Sequence, residues 1–410
     1  MGISYSLKYR EGENKSSFVG TWFSFFLLYI SIYGTVSIYV DNILFRSLKD
    51  VVLLIMVAYG LLYCIRKELV HPLLTYVYVS LYVVSLTSLL ISRDFLAMIY
   101  GVKITLLPIG MLYFGAVLAN RLNIKKLLFC IYLLLVSSWL IQYFLGIERL
   151  MDLGFVYGVN IKHFYGLLRL PSTVGAPDNY ALYIGIIGAW LSNHFNGRGR
   201  LILLVITTIL VTLSTLRTAI LFWIVYLLFI FFKRIKNTTA KGKSLSLSMV
   251  CFFSALIIMI APLFIRTSYA STKSIIERVA NWSSNIQPIN SAEGIVGNGI
   301  GVVGAASRRI ADLNINSLDY AVDNQYIAMY QQLGIAGLFF FVMLILMCCV
   351  LLKKREATES LAILTATAAS CFVTNTIELF PFNILFWTLV GMNLNKGISI
   401  PNKERVRHSK

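Results

Sequence analysis

The stretch DNQYIAMYQQLGIAGLFFFVMLILMCCVLLKKR, Asp323 to Arg355, decides the fold. It opens on an acid and an amide, runs through a long apolar core and closes on Lys353, Lys354 and Arg355. A run of about 17 to 25 apolar residues can cross a bilayer as an α-helix, because hydrocarbon offers backbone N–H and C=O groups no other partner. The pattern recurs along the chain. About twelve such runs begin near Phe18, Val51, Pro72, Phe95, Leu127, Asn179, Leu201, Thr218, Leu247, Asn324, Ser360 and Asn383. The 410 residues are 58% hydrophobic and 13% charged, with a mean hydropathy of +0.76, far too apolar for a soluble domain. The expected fold class is an all-α integral membrane protein, one polytopic domain over residues 1–410.

Lys and Arg set the orientation. With the N-terminus inside, the inner segments collect about 23 of the 36 basic residues, from Lys8, Arg10 and Lys15 through Arg66, Lys67, Arg121, Lys125, Lys126, Arg198 and Arg200 to the tail beyond Lys396. Both termini are expected in the cytoplasm. The net charge of +18 is then a topological signal and not a sign of nucleic-acid binding. The first run follows a mixed polar leader without a small-residue cleavage site and reads as a retained signal anchor.

Two large extracytoplasmic loops break the alternation, at about 147–178 and 266–323. The second carries Arg266, Lys273, Arg278, Arg308 and Arg309 and a glycine-rich run from Gly294 to Gly304. Basic groups gathered at a membrane surface suggest an anionic substrate. Residues 299–304 match G-x-G-x-x-G, but the dinucleotide reading needs a strand-to-helix junction in a parallel sheet and is rejected here. A turn letting the backbone approach a diphosphate, or a plain flexible loop, fits the glycines better. Asn281-Trp-Ser matches a glycosylation sequon by chance.

Arg217 lies between two apolar runs, where an arginine is costly unless it snorkels or meets a partner. With Ser214, Thr215 and Thr218 beside it, Arg217 reads as a fixed charge for a phosphate, an interface anchor being the alternative. Lys103 follows the same logic less strongly and is expected to snorkel outward or pair with Asp94. Among carboxylates, Asp319 and Asp323 are spaced for one helical face, and their mutual repulsion suits a general base at Asp323, at the mouth of a span. Glu148, Glu293 and Glu378 are its rivals. The Arg308/Asp312 and Lys273/Glu277 spacings suit ordinary surface pairs. All six cysteines fall in apolar runs, and His71, His163, His194 and His408 are scattered, so neither disulfide nor metal site is implied.

Taken together, Arg169 with the following Gly-x-Pro-Asp-Asn-Tyr segment, Ser-Thr-Leu-Arg at 214–217, the glycine-rich loop, and the Asp323-Asn-Gln-Tyr motif in a chain of about twelve spans resemble the bacterial O-antigen and capsule polymerases of the Wzy type. The resemblance implies a GT-C-like glycosyltransferase in the bacterial inner membrane, joining undecaprenyl-diphosphate-linked oligosaccharide units on its outer face. It implies Arg217 and Arg169 as diphosphate clamps, Arg278 or Arg308 as the clamp for the second lipid-linked substrate, Asn324 as a substrate contact and Asp323 as the base. It requires no cofactor and no metal. Implied partners are the lipid-linked glycans, membrane lipid, a chain-length regulator and a flippase, with no nucleic acid. O-antigen ligases share the layout but carry His-Asn where this chain has Asp323-Asn324. Ligation to lipid A core, and lipid transport or flipping, are the competing readings.

Overall fold

The computed structural model describes residues 18–40, 42–92, 94–119, 121–164, 167–236, 280, 282–283, 286, 288–307 and 322–395. The expected run near Leu247 and the residues Arg266, Lys273, Glu277, Arg278, Asn281, Arg308, Arg309, Asp312, Asp319 and His408 lie outside them.

The chain is a helical membrane protein. Its helices are α1 (Phe18–Tyr39), α2 (Ile43–Lys67), α3 (Pro72–Ser92), α4 (Phe95–Leu118), α5 (Ile124–Asp152), α6 (Pro177–His194), α7 (Gly197–Leu213) and α8 (Arg217–Lys236). A short α9 (Ala292–Val296) precedes α10 (Gln325–Lys354), α11 (Thr358–Ser370) and α12 (Phe382–Met392). Six of these, α1 to α5 and α10, are long and apolar enough to cross a membrane. Apart from the five-residue α9, the remainder sit where further runs were expected, but α11 has 13 residues and α12 has 11, about 20 and 16 Å at 1.5 Å per residue. Both fall short of the roughly 30 Å hydrocarbon layer.

Contacts sort the helix ends into two groups. At one end, α2 and α10 finish on Arg66, Lys67, Lys353 and Lys354. There Lys125 Nζ donates to the His194 carbonyl at 2.7 Å, Asn395 Nδ2 to the Ala116 carbonyl at 2.7 Å, and Arg355 to the Asn395 carbonyl. This is the basic end. The opposite end holds a two-stranded antiparallel hairpin, β1 (Lys162–Phe164) and β2 (Leu167–Arg169), which pairs Lys162 with Arg169. Thr35 N–H donates to the Thr173 carbonyl at 3.0 Å, so the loop after the hairpin lies against α1. We call this the hairpin end.

Helices in lipid gain little from hydrophobic burial against each other, so close packing carries the association. The second half of α4 meets α12 through glycines on both sides. A Cβ at Gly115 would stand 2.2 Å from the Thr388 carbonyl oxygen, and one at Gly391 would stand 1.9 Å from that of Leu112. Gly391→Val forces these backbones apart at a cost of about 1 to 3 kcal/mol. The expected outcome is a lower thermal midpoint in detergent, and an unchanged midpoint contradicts this packing.

Candidate functional site

Three of the described helices are interrupted toward the hairpin end, α5 at Gly146 and two others, α10 and α4, from whose breaks the site grows. In α10 the helical path is interrupted at Gly334 (φ 64, ψ −167). A helix bonds each carbonyl to the N–H four residues on, so this break strands the carbonyls of Gln331 and Gln332. The glycine-rich segment satisfies them: Asn298 N–H donates to Gln331 O at 2.8 Å and Gly299 N–H to Gln332 O at 3.0 Å. Gly301 N–H then donates to the Gln332 side-chain oxygen at 2.9 Å.

The second break is a π-helical turn, Val102–Leu106, inside α4. Just before it, Gly101 faces Gly301. A Cβ on Gly301 would stand 1.9 Å from the Ala97 carbonyl oxygen, and its φ of +91 is a conformation few other residues adopt. Gly297 and Gly301 therefore serve close approach to α10 and α4, a packing role that was not among the sequence-based options, and Gly304 abuts the Glu378 carboxylate.

Both α10 and α4 converge on Glu378, in the 3₁₀ turn Thr376–Glu378 between α11 and α12. Its carboxylate oxygens accept from Ala305 N–H at 3.0 Å, Thr105 Oγ1 at 3.3 Å and Gln325 Nε2 at 3.4 Å. The side chain is only 5% exposed. Burial pushes its pKa above the usual carboxylate range, and the donors pull the other way. Gln325 is fully buried, and its Oε1 has no hydrogen-bond partner among the described residues.

Arg169 reaches the turn between α7 and α8 that precedes Arg217. Arg169 grips Thr215, its Nη2 donating to the Thr215 carbonyl at 2.8 Å and its Nε to the hydroxyl. Thr215 has a φ of +53, so this two-toothed grip braces a strained turn directly before Arg217. Arg217 opens α8, half-buried, beside buried Ser214 and Thr218. Asp178 of the segment after Arg169 pairs with Lys162 at 3.2 Å.

Asp323 is half-buried at the entry of α10. Asn324 is buried and caps that helix, its Oδ1 accepting from the N–H groups of Tyr326 and Ile327 at 3.0 and 3.2 Å. Gln325 N–H donates to the Cys371 carbonyl at 2.8 Å, which ties Asp323 and Asn324 to the connector bearing Glu378. The ring of Phe222 in α8 packs on Phe382 of α12, with centroids 5.9 Å apart, and links the arginine turn to the same connector.

Of the options for Lys103, snorkelling outward or pairing with Asp94, the second is corrected. Asp94 instead caps α4 through Ala97 N–H at 2.9 Å, while Lys103 Nζ lies 2.6 Å from Asp50 of α2. The helical direction of α4 explains this: Lys103, on the π-turn, faces α2 and not its own N-terminus. Sequence reasoning also passed over Lys49, which shares the same Asp50 oxygen at 3.3 Å. Among the described residues, no group of three or more His, Cys, Asp or Glu side chains could hold a metal ion.

No known protein-family model matches the chain, and no curated protein is significantly similar to it.

Glu378→Gln replaces one acceptor oxygen with an amide that faces donors. The expected loss is about 1 to 3 kcal/mol of stability. Combined with Thr105→Val, the loss should be less than the sum, because the two share one bond. Strictly additive thermal shifts contradict the hub.

Proposed function

We propose that the chain is a membrane-embedded glycosyltransferase that polymerises undecaprenyl-diphosphate-linked oligosaccharide repeat units into O-antigen or capsular polysaccharide, at the outer face of a bacterial inner membrane. One observation carries the reading. The arginine-braced turn at Arg217, the acid at the entry of α10 and the glycine segment held by Glu378 all gather at the hairpin end, opposite the basic end. The basic end fits the cytoplasmic side of the positive-inside rule. The polar end then faces outward.

The chemistry follows from the groups. An acceptor sugar hydroxyl attacks the anomeric carbon of the donor glycan. The new glycosidic C–O bond forms as the bond to the lipid diphosphate breaks, and the diphosphate leaves with the electron pair. Asp323 takes the hydroxyl proton. Arg217 stabilises the charge that builds on the diphosphate, where fixed donors act most strongly. Arg169 supports Arg217 by fixing the turn through Thr215. Arg278 and Arg308 remain candidates for the second lipid-linked substrate. Asn324 is assigned to orienting Asp323 through the helix cap.

Charge placement favours this over transport. Transporters set their charged binding groups near mid-membrane on broken helices, whereas Arg169, Arg217 and Asp323 stand at helix ends or in loops.

Reconstitution with lipid-linked repeat units should yield a ladder of products spaced by one repeat. Arg217→Ala should lower turnover by about 100-fold or more, the usual cost of losing a donor to a developing charge. Asp323→Asn should lose turnover while keeping substrate affinity. Glycan transfer to lipid A core without a ladder would replace polymerisation with ligation. Movement of unmodified lipid without any transfer would replace it with transport.

A further inference from the structure

The loop between α5 and the hairpin carries an apolar surface that the reading above does not use. α5 breaks at Gly146 (φ 76, ψ 171), and its last residues run on to Asp152. Within 150–161 the side chains divide in two. Leu150, Phe155 and Ile161 are buried, whereas Met151, Leu153, Val156, Tyr157 and Val159 are 45% to 62% exposed. Asp152 is the one charged residue of that stretch. So many large apolar side chains held outward in one loop mark a contact surface.

Length and contacts place this loop at the membrane boundary. Lys125 lies at the basic end, and from there to Gly146 α5 rises about 32 Å at 1.5 Å per residue, close to the roughly 30 Å hydrocarbon layer. The chain then turns back to α1. A Cβ on Gly154 would stand 3.2 Å from Ile38 Cγ2, and Asn160 Nδ2 donates at 2.7 Å to the carbonyl of Gly175, which abuts Gly34 of α1. Both halves of the loop are thus tied to the last turns of α1 and stay at the level where that helix ends.

The backbone suits a place with little water. Phe155 N–H donates to Leu150 O at 3.1 Å, Gly158 N–H to Ile161 O at 2.7 Å, Asn160 N–H to Val156 O at 2.9 Å, and Val156 N–H to the Asn160 side-chain oxygen at 3.0 Å. A loop whose donors are paired internally can enter the boundary between headgroups and acyl chains at little cost. Continuity selects the occupant. Leu140, Ile141, Tyr143 and Phe144 are exposed on the last turns of the α5 span, where they face lipid, and the exposed residues of 151–159 follow them at the same boundary. Tyrosine is enriched at that level. We propose that residues 151–159 dip into the lipid leaflet at the hairpin end and hold the following hairpin, with Arg169 on β2, at headgroup depth. The contact does not rest on the polymerase reading. Within that reading, it sets Arg169 and the Thr215 turn at the depth of a lipid-linked diphosphate.

The test uses the full-length protein in vesicles of phosphatidylethanolamine and phosphatidylglycerol, doped with a phospholipid bearing a diazirine near the top of its acyl chain. Trypsin cuts after Arg149 and Lys162 and frees 150–162 as one peptide, so lipid adducts there can be counted by mass spectrometry. They should form at a yield comparable with the lipid-facing peptide 127–149. Because the contact is apolar, that yield should hold from low to high salt, and its loss at high salt would overturn the proposal in favour of charge attraction. Ready oxidation of Met151 and Tyr157 by hydroxyl radicals from the water, without lipid adducts, would put the loop in solvent and overturn it. Protection from both reagents would mean a covering protein and overturn it equally. The double variant Val156→Asp/Val159→Asp, at two exposed positions, should cut adducts on 150–162 severalfold and leave those on 127–149 unchanged. Undiminished adducts on 150–162 in that variant would contradict the contact. No turnover is read, so a missing product ladder leaves this result standing.

Discussion

The hairpin end depends on one requirement: backbone carbonyls set free where a helix breaks must find donors. In water the solvent supplies them. At the edge of hydrocarbon only protein can, and an unpaired group there costs several kcal/mol. Gly334 breaks α10 and exposes Gln331 and Gln332, and the N–H groups of Asn298 and Gly299 close the gap. That repair fixes the path of 297–307. Its path delivers Ala305 N–H to Glu378, and Glu378 in turn holds Gln325 and Thr105. Remove the break and the glycine segment has no reason to lie there.

The short helices make room for this. α11 and α12 fall well short of the membrane thickness, and Gln325 N–H on the Cys371 carbonyl sets their connector beside the first turn of α10. Irregular backbone in a helical membrane protein is tolerated only where protein covers it or water reaches it. The glycine segment, α4 and the first turns of α10 provide the cover. A carboxylate buried this way is costly unless donors surround it, which is the arrangement at Glu378. Asp323, by contrast, is half-buried at the entry of α10.

Helix positions were largely legible in the sequence, because apolar length is read locally. α1, α3 and α4 start at Phe18, Pro72 and Phe95, as expected. α2 starts at Ile43 instead of Val51, since Arg46, Lys49 and Asp50 lower the hydropathy without breaking the helix that Asn42 caps. The hairpin was missed because each strand has only three residues, too few for alternation to register. The site was legible in part. Arg169 and the Ser214 to Arg217 turn were correctly associated by pattern, but the grip on Thr215 needs coordinates. Glu378 and Thr105 stand 273 positions apart, and nothing in either neighbourhood announces the other. Asp94 was one of the options for Lys103 and Asp50 was not among them, because a single sequence shows near neighbours and hides a facing helix.

Hydrogen–deuterium exchange of the intact protein in detergent tests the central claim most directly. With the glycine segment clamped to the break in α10, peptides spanning 297–307 should exchange far more slowly than an open loop, on the timescale of the neighbouring helices. Exchange at the rate of an unprotected chain would contradict the account.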